Sequence, residues 1–115
     1  MGYNTVLLQT ITECEGKGLG ESSPLGLEYT VPQGCTAGLQ YVRLGTTSTG
    51  MVNVTVLRDG KTMRYFPVAG GNSMHVQLAI VDQLESGEHI EITAEAEEGG
   101  TLILDIGILE VSTGG

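Results

Sequence analysis

Met51-Val52-Asn53-Val54-Thr55-Val56-Leu57-Arg58-Asp59-Gly60-Lys61-Thr62-Met63-Arg64-Tyr65-Phe66-Pro67-Val68 is the stretch that decides the fold. Asp59-Gly60 is a dipeptide favoured in two-residue type I′ hairpin turns, because both central residues there must adopt positive φ. Two alternating runs flank it, so the stretch is expected to fold as two antiparallel strands with Arg58 facing Lys61. Counting outward pairs Val56 with Met63, Val54 with Tyr65 and Val52 with Pro67 on one side of the ribbon. Leu57 with Thr62, Thr55 with Arg64 and Asn53 with Phe66 fall on the other. The first side is expected to be core and the second mostly polar, which places Phe66 outside the core.

The same grammar extends in both directions. Strand signals bounded by Gly, Pro, Asn or Asp recur about every ten residues, the spacing of a sandwich or jelly roll. Eight strands are expected, near 4–12, 25–31, 37–45, 51–58, 61–68, 73–81, 88–96 and 101–111. Alternation turns Met74, Val76, Leu78 and Ile80 inward with His75 and Gln77 outward. It also turns Ile90, Ile92 and Ala94 inward with His89, Glu91, Thr93 and Glu95 outward, and Leu102, Leu104, Ile106 and Ile108 continue the core. The last strand carries Ile103 and Leu109 on its second face, so that face is either covered or meets a partner. Pro32 lacks an N–H for a ladder, so the run before it must end there or lie on an edge. No segment sustains a 3.6-residue period, although 80–84 could make one helical turn. Residues 15–26, rich in glycine, are expected to be a flexible loop, and 112–115 a frayed tail.

The chain has 115 residues, 18 of them glycine, a single Phe and no Trp. That length suits one all-β domain over 1–115, an antiparallel β-sandwich of jelly-roll type. Fourteen acidic residues against five basic ones give a net charge of −9. Such a surface repels phosphate backbones and anionic headgroups, so neither nucleic acid nor membrane is an expected partner. No apolar run approaches the roughly 20 residues of a membrane-spanning helix. The N-terminus carries no basic region followed by an apolar stretch, so no signal peptide is read and synthesis in the cytoplasm is expected. Cys14 and Cys35 are accordingly expected to be free thiols.

No constellation of catalytic type emerges. Gly16-Lys17-Gly18-Leu19-Gly20-Glu21-Ser22-Ser23 lacks the Gly-Lys-Ser/Thr order and the following helix of a phosphate loop, and Glu21 repels phosphate. His75 and His89 sit outward on different strands. The spacing His89-Ile90-Glu91 puts His89 and Glu91 on one face of a strand, with Glu88 nearby in sequence. No third ligand is indicated, so solvated histidines are expected and no metal or cofactor. Neither cysteine lies in a nucleophile motif. Fourteen acids could supply a glycosidase pair, but the chain lacks the aromatic platforms such clefts use. Residues 95–100 are expected to be a solvated turn rather than a calcium loop. Asn53-Val54-Thr55 matches a glycosylation sequon but lies mid-strand and is set aside.

From Leu27 to Glu110 the order of features resembles small tailed-bacteriophage virion proteins. The residues that carry it are Leu27 to Gly34, the apolar strand Leu39 to Leu44, the Thr46 to Gly50 turn and the hairpin after it. Met74 to Leu78, Leu84 to Ile92 and a closing strand ending at Glu110 complete the order. The long glycine-rich segment and the two cysteines depart from that pattern. The resemblance implies a β-sandwich that decorates the head shell or joins head and tail, on the outer capsid surface of a virion. It implies the major capsid protein as partner, self-association as a homotrimer, and bridging without catalysis. Phe66, Ile103 and Leu109 are the apolar residues offered for that interface. The alternatives are a tail or neck component, or a carbohydrate- or ligand-binding β module.

Overall fold

The computed structural model describes residues 2–78 and 82–112. Nine strands follow in order: β1 (Gly2–Cys14), β2 (Gly18–Thr30), β3 (Cys35–Thr46), β4 (Val52–Arg58), β5 (Lys61–Val68), β6 (Ser73–Gln77), β7 (Gln83–Leu84), β8 (His89–Ala96) and β9 (Gly100–Ser112). They form two antiparallel sheets. The first has the order β1-β9-β3-β6, with the two-residue β7 also on β3, and the second has the order β2-β8-β4-β5. β6 and β7 pair successive parts of β3 and so act as one interrupted strand. Counted that way, the topology is the eight-stranded jelly roll. Thirteen-residue strands at about 3.3 Å per residue span roughly 43 Å, which accounts for a molecule 50 Å long and only 24 by 22 Å across.

The core lies between the sheets. Leu39, Val42 and Leu44 of β3 and Leu102, Leu104, Ile106 and Ile108 of β9 meet Val52, Val54 and Val56 of β4 and Ile90 and Ile92 of β8, all buried. These are the inward residues that alternation assigns in β4, β8 and β9. Ile80 lies outside the described residues.

The hairpin turn forms at Asp59 and Gly60, at φ 49° and 81°. Arg58 pairs with Lys61 and Leu57 with Thr62, as the turn requires. Beyond them a bulge absorbs Met63, so that Val56 faces Arg64, Thr55 faces Tyr65 and Val54 faces Phe66. One extra residue moves every later side chain to the opposite face. Phe66 is therefore a core residue, 5% exposed, whereas Tyr65 is 65% exposed. The expectation that Phe66 lies at the surface is corrected by that bulge.

Three further expectations change. The segment 15–26 is not a loop: only 15–17 lie between strands, and β2 begins at Gly18. As an edge strand, β2 accommodates Pro24 and two register shifts against β8, with Gly18 and Gly26 at positive φ near those shifts. Gln83 and Leu84 pair with β3 in place of a helical turn. Ser112 closes β9 against Gly2 and Cys35, while 113–115 lie outside the described residues. β2 does stop at Thr30, ahead of Pro32. Cys14 and Cys35 are free thiols.

Candidate functional site

Each sheet presents an outer face, and the register aligns its side chains into rows. Across the first sheet, Gln9, Asp105, Arg43 and His75 stand directly opposite one another on β1, β9, β3 and β6. Leu7, Gly107, Tyr41 and Gln77 form the row on one side, and Ile11, Ile103, Gly45 and Ser73 the row on the other. Over the β3–β6 half of these rows runs an open groove of about 490 Å³, lined by Arg43, Gly45, Ser73, His75, Ile103 and Asp105 among others. That volume falls within the range of small-molecule sites.

Asp105 is the hub of the groove. Its Oδ1 accepts from Gln9 Nε2 at 3.1 Å and from the Tyr41 hydroxyl at 3.1 Å. Arg43 Nη1 lies 3.8 Å from Oδ2, a loose pairing that leaves the guanidinium mostly exposed. Glycine makes the arrangement possible, since a β-carbon at Gly107 would overlap the Tyr41 ring. With only hydrogen there, the ring lies on the strand and its hydroxyl reaches Asp105. Desolvation, followed by the hydrogen bond to Asp105 and its negative charge, pushes the Tyr41 hydroxyl above the usual phenol range. Tyr41 therefore stays a neutral donor at physiological pH. His75 meets the Tyr41 ring edge-on, with centroids 5.8 Å apart at 89°. Gly45, where a β-carbon would crowd Ser73, stands opposite Ile103, which is 52% exposed. The groove thus offers a carboxylate, a guanidinium, an imidazole and the Ser73 hydroxyl next to an aliphatic surface.

The second sheet's outer face is organised differently. Glu95 is only 5% exposed although it points away from the core. Its Oε1 accepts from Asn53 Nδ2 at 2.8 Å and Thr55 Oγ1 at 2.7 Å, and its Oε2 from Thr93 Oγ1 at 2.9 Å. Among the described residues no buried polar side-chain atom lacks a partner. Residues 95–100 are accordingly not one solvated turn: Glu95 is sealed in β8, and Glu97 accepts from the Met51 amide at 2.8 Å. Further along β8, His89 and Glu91 are joined by Glu28 of β2, a third potential ligand that sequence spacing does not reveal.

Of the three residues singled out for an interface, Ile103 lines the groove, Leu109 is half-buried further along β9, and Phe66 is in the core of the other sheet. The structure does not bring them together. Sequence reading missed Tyr41, Arg43, Asp105 and Gly107. Asp105 and Gly107 do leave a trace, as a lone acid and a lone glycine inside the aliphatic run 102–109.

No family model matches the chain, and no curated protein matches its sequence. Solved structures do match its fold. One is a carbohydrate-binding module CBM36 in complex with calcium and xylotriose, at TM-score 0.50 and 14% identity over 83% of this chain and 97% of that one. Another is the CBM36-1 domain of a multidomain xylanase from the hindgut metagenome of Trinervitermes trinervoides, at TM-score 0.49 and 14% identity over 97% and 99% of the two chains. The β-sandwich architecture is shared with the first of these.

Proposed function

We propose that this chain is a carbohydrate-binding β module that takes a short stretch of polysaccharide in the groove over Asp105. The observation that carries the reading is the row Asp105–Arg43–His75 beside exposed Ile103. A sugar ring has hydroxyls at its rim and C–H groups on its faces. Asp105 accepts from hydroxyls, Arg43 and His75 donate to them, and Ile103 with the His75 ring supplies apolar contact. Charged acceptors and donors make stronger hydrogen bonds than neutral ones, and the Asp105 carboxylate is already oriented by Gln9 and Tyr41. The likeness to a solved carbohydrate-binding module supports the reading at the level of fold.

The test is calorimetric titration of the purified chain with xylotriose and with a panel of other plant oligosaccharides. Saturable binding by at least one sugar, weakened at least tenfold in Asp105→Ala and Arg43→Ala, is expected. Absence of saturable binding across the panel, or binding that both variants retain in full, overturns it.

A second reading, as a virion decoration protein, is favoured by a separate observation. On β1, Tyr3, Leu7 and Ile11 are 70%, 50% and 73% exposed on the same face as Ile103. A protein that bridges capsid subunits needs such an uncovered apolar surface. Light scattering with and without empty capsids separates the readings, since only a decoration protein co-sediments with them.

A further inference from the structure

We propose that Glu28, His89 and Glu91 form a binding site for a divalent transition-metal ion of the zinc class, on the outer face of the second sheet. It lies on the opposite side of the sandwich from the groove, so it goes beyond the carbohydrate reading and stands or falls without it.

The first argument is convergence. Glu28 of β2 stands directly opposite Glu91 of β8, and Thr30 opposite His89. One donor atom from each of Glu28, His89 and Glu91 lies within 4.8 Å of the other two. Zinc bonds of about 2.0–2.2 Å in tetrahedral array need donors roughly 3.3–3.6 Å apart. His89 Nε2 and Glu28 Oε1 are 2.9 Å apart, so an ion requires that pair to open slightly and the Glu91 carboxylate to turn toward it. Three protein ligands leave a fourth position for water.

The second argument is orientation. An imidazole that binds metal through one nitrogen commonly donates its other N–H to a fixed acceptor, which sets tautomer and ring angle. His89 Nδ1 lies 2.7 Å from Thr30 Oγ1, whose hydroxyl oxygen can accept from Nδ1–H when Nε2 takes the metal, and Nε2 is directed at Glu28 Oε1. The backbone of His89 is also held: its N–H donates to Asp59 Oδ1 at 3.1 Å, and its carbonyl accepts from the Asp59 N–H at 2.9 Å. The type I′ turn thus fixes the strand end from which the ligand projects.

The third argument is charge. Like charges directly opposite on neighbouring strands destabilise a sheet, and Glu28 faces Glu91. Among the described residues the sole ion-pair partner of Glu28 is His89, and Glu91 has neither an ion pair nor a side-chain hydrogen bond. A divalent cation removes the repulsion. One imidazole with two carboxylates suits zinc and its neighbours, whereas calcium calls for six to eight oxygens.

The experiment is titration of the metal-stripped full chain with zinc chloride, followed by calorimetry and thermal unfolding. One saturable site per chain is expected, with zinc raising the melting temperature and a tenfold excess of calcium failing to displace it. His89→Ala and Glu91→Gln should each weaken binding at least tenfold, and His75→Ala should leave it unchanged. Should His89→Ala perturb the fold, the nitrogen resonances of the wild-type imidazoles decide the matter: zinc must shift those of His89 and spare those of His75. No saturable binding, or binding that survives intact in a folded His89→Ala chain and so resides elsewhere, overturns the proposal.

Discussion

Asp105 and Glu95 occupy comparable places on opposite faces of the sandwich, yet they do different work. Each is a carboxylate on a central strand, and each receives hydrogen bonds across the sheet. Glu95 is enclosed at 5% exposure by neutral donors from β4 and β8, whereas Asp105 faces an open groove with an exposed guanidinium beside it. A sealed carboxylate orders its own sheet; an open one with oriented neighbours can exchange partners with a ligand. The difference follows from what stands beside each. Glu95 has short hydroxyl and amide side chains that close over it, while Asp105 borders the open groove and has the long, mostly exposed Arg43 side chain beside it.

The largest effect is expected where the sealed cluster is opened. Glu95→Ala leaves the hydroxyls of Thr55 and Thr93 and the Asn53 amide without their acceptor, at a cost of roughly 2–4 kcal/mol. Guanidinium unfolding should show that loss, with sugar binding in the groove unchanged at temperatures where the variant is folded. Glu95→Gln should fall between, because it keeps one acceptor oxygen. If Glu95→Ala costs no more than a surface substitution, the two carboxylates are not distinct in kind.

Asp105→Ala should show the converse. The carboxylate is near solvent, so its loss is expected to cost only about 1 kcal/mol of stability. Ligand binding should weaken tenfold or more, equivalent to about 1.4 kcal/mol or above. A large fall in stability with unaltered binding would make Asp105 a second structural hub.

Much of the comparison is invisible in sequence. Alternation identifies the core of β4, β8 and β9, because inward residues there are aliphatic and the period is two. It cannot foresee the bulge at Met63, since Thr62-Met63-Arg64-Tyr65-Phe66 alternates no better in one register than in the other. That single residue exchanges Tyr65 and Phe66 between surface and core. The glycine-rich segment reads as a loop because glycine has no intrinsic strand preference; its pairing with β8 is set by tertiary context at an edge. Both candidate sites are products of register. Asp105 meets Arg43 across 62 residues of sequence, and Glu28 meets Glu91 across 63. Local spacing shows neither meeting.

A smaller effect tests the seam between the sheets. The Tyr29 hydroxyl of β2 donates to Glu110 Oε2 of β9 at 2.6 Å, joining the two sheets. Desolvation, then this hydrogen bond and the charge of Glu110, raise the Tyr29 hydroxyl far above the ordinary phenol range. The unfolded chain releases this proton near pH 10, while the folded chain still holds it. Above that pH the unfolded state binds fewer protons, so stability falls as pH rises. Below it this linkage disappears. Tyr29→Phe should flatten the decline in melting temperature between pH 10 and 11, while lowering stability at neutral pH through loss of the bond. A decline of unchanged slope in Tyr29→Phe would assign it to other groups.

The smallest effect belongs to the exposed rim of the first sheet, and it is informative because it is small. Ile11 is 73% exposed on an edge strand paired with β9, and it stands opposite Ile103. Ile11→Lys removes no core contact and introduces a charge that edge strands tolerate, so stability should change by no more than about 0.5 kcal/mol. If the groove alone is functional, sugar affinity stays within twofold, because the polar row and Ile103 are untouched. If the apolar rim of Tyr3, Leu7 and Ile11 is itself a contact surface, the same substitution abolishes attachment to capsids at undiminished stability. One substitution therefore separates a face that binds through its polar row from one that binds through its aliphatic border.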